Sequence, residues 1–164
     1  MKISDFIGEA TEYDKKEMLE ERRPRSWLKS VSAFANGIGG ALIFGVSDEE
    51  ILVGLTAARA VSEKISETIK TKMDPIPQVI MENHVEDEKE FVILRVLPGQ
   101  ETPYYYIADG NRVAYVRVGN ESIPADATAL KRLVLRGTNM TYDSVVSSYM
   151  LGDFSFTKLR SVYR

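Results

Sequence analysis

Apolar positions along the chain change period several times, and each change marks an element. Trp27, Val31, Phe34 and Ala35 recur at three- and four-residue spacing, which predicts a helix over Ser26 to Asn36, entered after Pro24 and stopped at Gly37. Ala41 to Val46 is a nearly continuous apolar run suited to a strand covered on both faces, with Ile51 to Leu55 as a short candidate partner. Ala57, Val61, Ile65, Ile69 and Met73 then fall every four residues, with Lys64, Lys70 and Lys72 between them. That stripe predicts an amphipathic helix, ended by Asp74, Pro75 and Pro77. Gln78 to Val85 and Glu90 to Leu97, joined by the polar residues 86–89, read as a hairpin. Tyr104 to Ile107 and Arg112 to Val118 read as a second one around Asp109 and Gly110. Ala125 to Leu135 closes the series as a helix with Ala129, Leu130, Leu133 and Val134 on one face. The order strand, helix, strand, helix, two hairpins and helix predicts an α+β (mixed α/β) fold, a sheet of strands and hairpins packed with about three helices.

Size sharpens this picture. A chain of 164 residues buries roughly two thirds of its unfolded surface in one domain. After Gly137 the short helical patterns are too poor in apolar residues for a second core. One domain is therefore expected over 1–136, with 137–164 an extension that begins a linker to a further domain of a longer polypeptide. The absence of cysteine and the single histidine, His84, exclude disulfides, thiolate catalysis and cysteine- or histidine-rich metal sites. His84 is given no role, because no acidic or hydroxyl partner stands at catalytic spacing. The longest strongly apolar run, Gly39 to Val46, is far short of the roughly 18 residues of a membrane span. Residues 1–16 reach acidic positions before any apolar core, unlike a signal peptide. A cytoplasmic protein with no membrane partner is expected.

Charge is divided along the chain. The net charge of −3 argues against a globally basic, DNA-coating surface. Locally, Lys15, Lys16, Arg22, Arg23, Arg25 and Lys29 form a basic cluster, whereas Glu82, Glu86, Asp87, Glu88 and Glu90 make the first hairpin acidic. Phosphate neutralisation by lysine and arginine makes the basic cluster a candidate nucleic-acid surface. Its bland alternative is a solvated segment balanced by Glu17, Glu20 and Glu21. Asn36 to Gly40 must turn from a helix into a buried strand, which glycine permits. The functional alternative is that its amides and the Asn36 side chain hold a phosphate. It lacks the Lys-Ser/Thr of a P-loop, so no ATP site is read there. Arg117 either joins the basic surface or pairs with a carboxylate, and Tyr104, Tyr105 and Tyr106 either stack bases or pack a sheet edge.

Several strings together resemble the Schlafen AlbA_2 family. Glu9-Ala-Thr-Glu12-Tyr-Asp14-Lys-Lys16 stands for its acidic opening, Ser32-Ala-Phe-Ala-Asn36-Gly-Ile-Gly39-Gly40 for its central motif, and Gly45-Val-Ser-Asp48 for the strand end. Pro103-Tyr104-Tyr105 and Tyr115-Val-Arg117-Val-Gly119-Asn-Glu-Ser122 match its later part, so that the likeness covers Glu9 to Leu135. Asp14 and Lys15 depart from the pattern, which has glutamate and an aromatic residue there, and Glu12 offers a competing alignment.

The resemblance implies a DNA- or RNA-binding module, without catalysis of its own, of a bacterial transcriptional regulator or a RecG-like, ATP-binding helicase relative. The contact residues expected on that reading are Lys15, Lys16, Arg22, Arg23, Arg25, Lys29, Asn36 and Arg117, with no cofactor. It also implies an alternative, an endoribonuclease in which Glu9, Asp14 and Asp48 hold Mg²⁺ or Mn²⁺. A protein-interaction or homodimerisation domain is the third class.

Overall fold

The computed structural model describes residue 3 and residues 12–138. The expected α+β fold is observed as two four-stranded sheets with helices between and beside them. The first sheet has the order β1 (Tyr13–Lys16), β2 (Gly40–Phe44), β5 (Lys89–Val96), β4 (Val79–Glu86). β1 runs parallel to β2, Tyr13 opposite Ala41, and the other neighbours are antiparallel. The second sheet has the order β3 (Met73–Asp74), β6 (Tyr105–Ala108), β7 (Asn111–Val118), β8 (Glu121–Pro124), all antiparallel.

Helix α1 (Arg25–Asn36) lies between the sheets and packs on both. The single apolar stripe read from its sequence understates this burial. Ser30, Ser32 and Asn36 are buried as deeply as Trp27, Val31 and Phe34, because a polar face can enter a core when every group on it finds a partner. The apolar run of β2 is covered on both faces, as expected. Leu42 and Phe44 join α1, Val92 and Leu94 on one side, while Ala41 and Ile43 pack with Ile3, Val46, Phe91 and Ile93 on the other. Residues 51–55 return beside it only through isolated bridges, Val46 to Leu52 and Leu55 to Glu90.

Helix α2 (Ala58–Lys72) buries Ala58, Ile65, Thr68 and Ile69, and Ala57 stays exposed just ahead of it. It ends before the prolines, since Met73 has already left it to pair with Tyr106 in β3. Both hairpins form with two-residue turns, Asp87-Glu88 and Asp109-Gly110, whose four residues all have positive φ, the conformation that matches the twist of the flanking strands. β8 is an element the sequence reading did not separate from the β7 motif. His84 has an acidic partner after all: strand periodicity puts Glu86 on its face, with Nε2 and Oε1 3.1 Å apart.

The last helix, α3, covers 127–138 among the described residues. Leu133 is buried, but Val134, expected on the same face, is 45% exposed. The helix runs through Gly137 and packs there onto Thr102. A Cβ added at Gly137 would lie 2.1 Å from the Thr102 carbonyl oxygen, and Thr102 Oγ1 donates to the Leu133 carbonyl at 2.6 Å. Gly137→Ala should therefore lower the melting temperature, although alanine is the better helix former by about 1 kcal/mol. A calorimetric scan with an unchanged or raised Tm would show that α3 docks differently. The remaining residues of the expected 137–164 extension lie outside the described residues.

Candidate nucleic-acid interface

The central motif is internal scaffolding. The β6–β7 ladder stops at Tyr105 opposite Ala114, so the backbone groups of Tyr104 and Tyr115 just beyond it need other partners. Side chains of α1 supply them. The Asn36 side-chain oxygen accepts from the Tyr104 amide at 2.7 Å, and its nitrogen donates to the carbonyls of Tyr115 at 2.9 Å and Tyr104 at 3.2 Å. Ser32 Oγ donates to the Tyr104 carbonyl at 2.7 Å and accepts from the Tyr115 amide at 3.0 Å. Asn36 thus belongs to the interior, and its expected contact with a nucleic acid is corrected by this burial. The turn after it is equally committed. The amides of Gly37 and Gly39 both donate to the Phe34 carbonyl, and Arg136 of α3 donates to the carbonyls of Asn36, Gly37 and Gly99. At Gly39 φ is +86° and a Cβ would meet the Val96 carbonyl at 2.8 Å, so packing accounts for the glycine without a phosphate.

Asp14, Arg117 and Ser30 tie the two sheets and α1 together. Arg117 of β7 donates to both carboxylate oxygens of Asp14 in β1, from Nη2 at 2.7 Å and from Nη1 at 3.1 Å. Nη1 also donates to Ser122 Oγ at 2.8 Å, and Ser30 donates to Asp14. Glu12 stands 3.6 Å from Nε, and the guanidinium lies over the Phe34 ring. The Arg117 side chain is only 9% exposed. Of its two readings, pairing with a carboxylate is the one observed. Burial raises the Asp14 pKa, but the hydrogen bonds from Arg117 and Ser30, with the charges of Arg117 and Lys16, outweigh it and hold the carboxyl below its ordinary value.

A cleft of about 650 Å³ opens beside this pair. Asp14, Lys15, Lys16, Lys29, Asp48 and Arg117 all border it, together with Glu12 and Glu121. Lys15 is held by the Glu50 carboxylate at 3.3 Å. Asp14 and Asp48 are thus brought to one cleft, whereas Glu9 lies outside the described residues. Both oxygens of Asp14 already serve a guanidinium, and among the described residues no three acidic or histidine side chains group to hold an ion. The described donors alone, without Glu9, do not make up a Mg²⁺ or Mn²⁺ site.

A second cleft, of about 430 Å³, adjoins the first at Lys29 and Ser122 and carries Arg22, Arg23 and Arg25. Arg22, Arg23 and Arg25 are exposed and Lys29 is half-buried. Arg25 Nε donates to the Tyr115 hydroxyl at 2.8 Å. Among the described residues the expected partners Glu17, Glu20 and Glu21 make no ion pair with this cluster. The tyrosines divide: Tyr104 and Tyr106 are buried, and Tyr105 carries the Arg112 guanidinium 4.7 Å above its ring. No described helix is long and apolar enough to cross a membrane.

Comparisons with known proteins agree with this architecture. No curated protein matches the sequence. Two solved structures share the fold at a TM-score of 0.50. One is the DIP2311 protein of Corynebacterium diphtheriae, 18% identical over 70% of this chain and 24% of that one. This chain therefore spans about a quarter of the Corynebacterium protein. The other is the N-terminal domain of a protein from Nitrosomonas europaea related to the ATP-dependent DNA helicase RecG, 21% identical over 74% of this chain and 90% of that domain. The sequence profile of Schlafen, AlbA_2 matches residues 9–126, most of the chain. On that match the chain belongs to the Schlafen AlbA_2 family.

Proposed function

We propose that the domain binds nucleic acid through the basic face at the head of α1, as the non-catalytic module of a larger regulator or helicase-related protein. The observation that carries this reading is the continuity of the two clefts. Lys16 and Lys29 of the first lead directly to Arg22, Arg23 and Arg25 of the second, and these five make no ion pair among the described residues. Cations held free on one face are what electrostatic attraction to a polyanion requires, even on a chain whose net charge is −3. Family membership supports a nucleic-acid role, and the RecG relation of the Nitrosomonas protein is consistent with one.

Reversing Arg22, Arg23 and Arg25 to glutamate should weaken binding of short duplex or single-stranded probes at least about 100-fold at low salt, since each contact contributes strongly there. Fluorescence anisotropy measures this. A wild-type chain that binds neither probe at low salt contradicts the reading.

A further inference from the structure

The two clefts differ in one respect that separates their roles. The first sets Glu12, Asp14, Asp48 and Glu121 against Lys15, Lys16, Lys29 and Arg117. The second has four cations, Arg22, Arg23, Arg25 and Lys29, and no carboxylate lines it among the described residues. We propose that this arginine cleft is a backbone-phosphate site that grips a nucleic-acid strand without reading its bases, an inference that rests on the nucleic-acid reading above.

Four like charges around one small concavity repel each other when nothing is bound, and an anion relieves that repulsion. A phosphodiester suits the cleft because the side-chain donors that border it are cations and hydroxyls. Arg25 is preset, its Nε fixed on the Tyr115 hydroxyl and its guanidinium 6.0 Å from that ring. Ser26, also on the wall, has a hydroxyl oxygen with no hydrogen-bond partner among the described residues. The Tyr106 hydroxyl is a donor, as a phenol ordinarily is at neutral pH, and burial, then the neighbouring Tyr115 and Asp109, raise its pKa further. The amides of Ser26 and Trp27 are not among the donors, since they already bond the carbonyls of Arg23 and Pro24.

Stacking, and readout of adenine or cytosine, lack the parts they need. Stacking requires an open ring face, yet the aromatic residues lining the cleft, Tyr106 and Tyr115, are 7% and 1% exposed. Adenine and cytosine edges are read by amide and carboxylate side chains, and neither lines the cleft among the described residues; guanine is the base that arginine reads, and the Arg25 Nε is already engaged by Tyr115.

The test uses the full chain and three fluorescently labelled probes of equal length, oligodeoxythymidine, oligodeoxyadenosine and an alternating deoxyguanosine–deoxythymidine oligomer, the last because guanine is the base arginine reads. The three should bind within about threefold of one another. Arg22→Gln, Arg23→Gln and Lys29→Gln together, which spare the Arg25–Tyr115 bond, should weaken all three probes at least tenfold. They should also flatten the log–log salt dependence by about 2, the value for three lost single-strand phosphate contacts. Replacing chloride by millimolar inorganic phosphate at constant ionic strength should displace little probe, because a free ion makes one phosphate's contacts whereas a strand makes several at once. An unchanged circular dichroism melt shows that the triple variant is folded. Discrimination above tenfold between probes, an unaltered salt slope in a folded variant, or displacement by millimolar phosphate each overturns the proposal while wild-type binding keeps the nucleic-acid reading. Absence of wild-type binding overturns both.

Discussion

Asn36→Ala should lower the unfolding free energy by about 3 kcal/mol, because each buried group left unpaired costs about 1–3 kcal/mol. The amide of Tyr104 and the carbonyl of Tyr115 lose their Asn36 partners, while Ser32 retains its bonds to the same two residues. Asn36→Asp should be no milder. A carboxylate keeps the acceptor for the Tyr104 amide but turns a second oxygen toward two carbonyl oxygens, at a buried position where Asn36 is only 3% exposed. Denaturant titration reads both variants. A loss under about 1 kcal/mol for alanine, the value of an ordinary hydrogen bond, would mean that the β6–β7 end is held by something other than α1.

Asp14→Ala should be at least as damaging, at about 3–5 kcal/mol, the usual cost of stranding one member of a buried ion pair. Among the described residues Arg117 would keep Glu12, at 3.6 Å, as its one carboxylate, beside its bonds to Ser122 Oγ and the Tyr13 carbonyl. Replacing both partners, Asp14→Leu with Arg117→Met, should recover much of the loss, because no charge is then left buried alone. The pair also sets an acid limb. The Asp14 pKa is lower in the folded chain than unfolded, so below the ordinary carboxyl value near about 4 the unfolded state binds more protons. The stabilisation is complete above that value and disappears as pH falls through the lowered folded pKa. Asp14→Asn should lack this part of the acid-unfolding profile, and an identical profile would place the titration elsewhere.

Much of the architecture was legible because the patterns that encode it are local. The every-fourth spacing of Val61, Ile65 and Ile69 gives α2, and the Asp109-Gly110 pair gives the second hairpin. The two-faced burial of β2 follows from its unbroken apolar run. What was not legible depends on partners distant in sequence. Ser32 and Asn36 look like the polar side of an amphipathic helix until Tyr104 and Tyr115 supply a reason to bury them. Val134 fits a helical stripe by spacing, but α3 docks through Leu133 and Gly137. β3 is two residues long, and only Tyr105 and Tyr106 make it a strand.

The candidate site shows the same division. The basic cluster is visible as composition, and its freedom from Glu17, Glu20 and Glu21 is visible only in space. Arg117 shared a motif with Ser122, yet nothing in that spacing announced Asp14, more than a hundred residues earlier, as its partner. Asn36 was read as a surface contact because a glycine-rich turn has two uses and the sequence does not choose between them. The choice lies with Phe34 and Arg136, which occupy the amides and carbonyls of the turn.

The most direct measurement is a chemical-shift titration of the isotopically labelled chain with a short oligonucleotide, followed at both backbone amides and arginine Nε. The expected result is a contiguous set of perturbations at Arg22, Arg23, Arg25, Ser26 and Lys29, spreading to Lys16 and Ser122 and fading as salt is raised. Perturbations confined to the acidic β4–β5 hairpin or to α2, with the head of α1 unchanged, would contradict the assignment of this face.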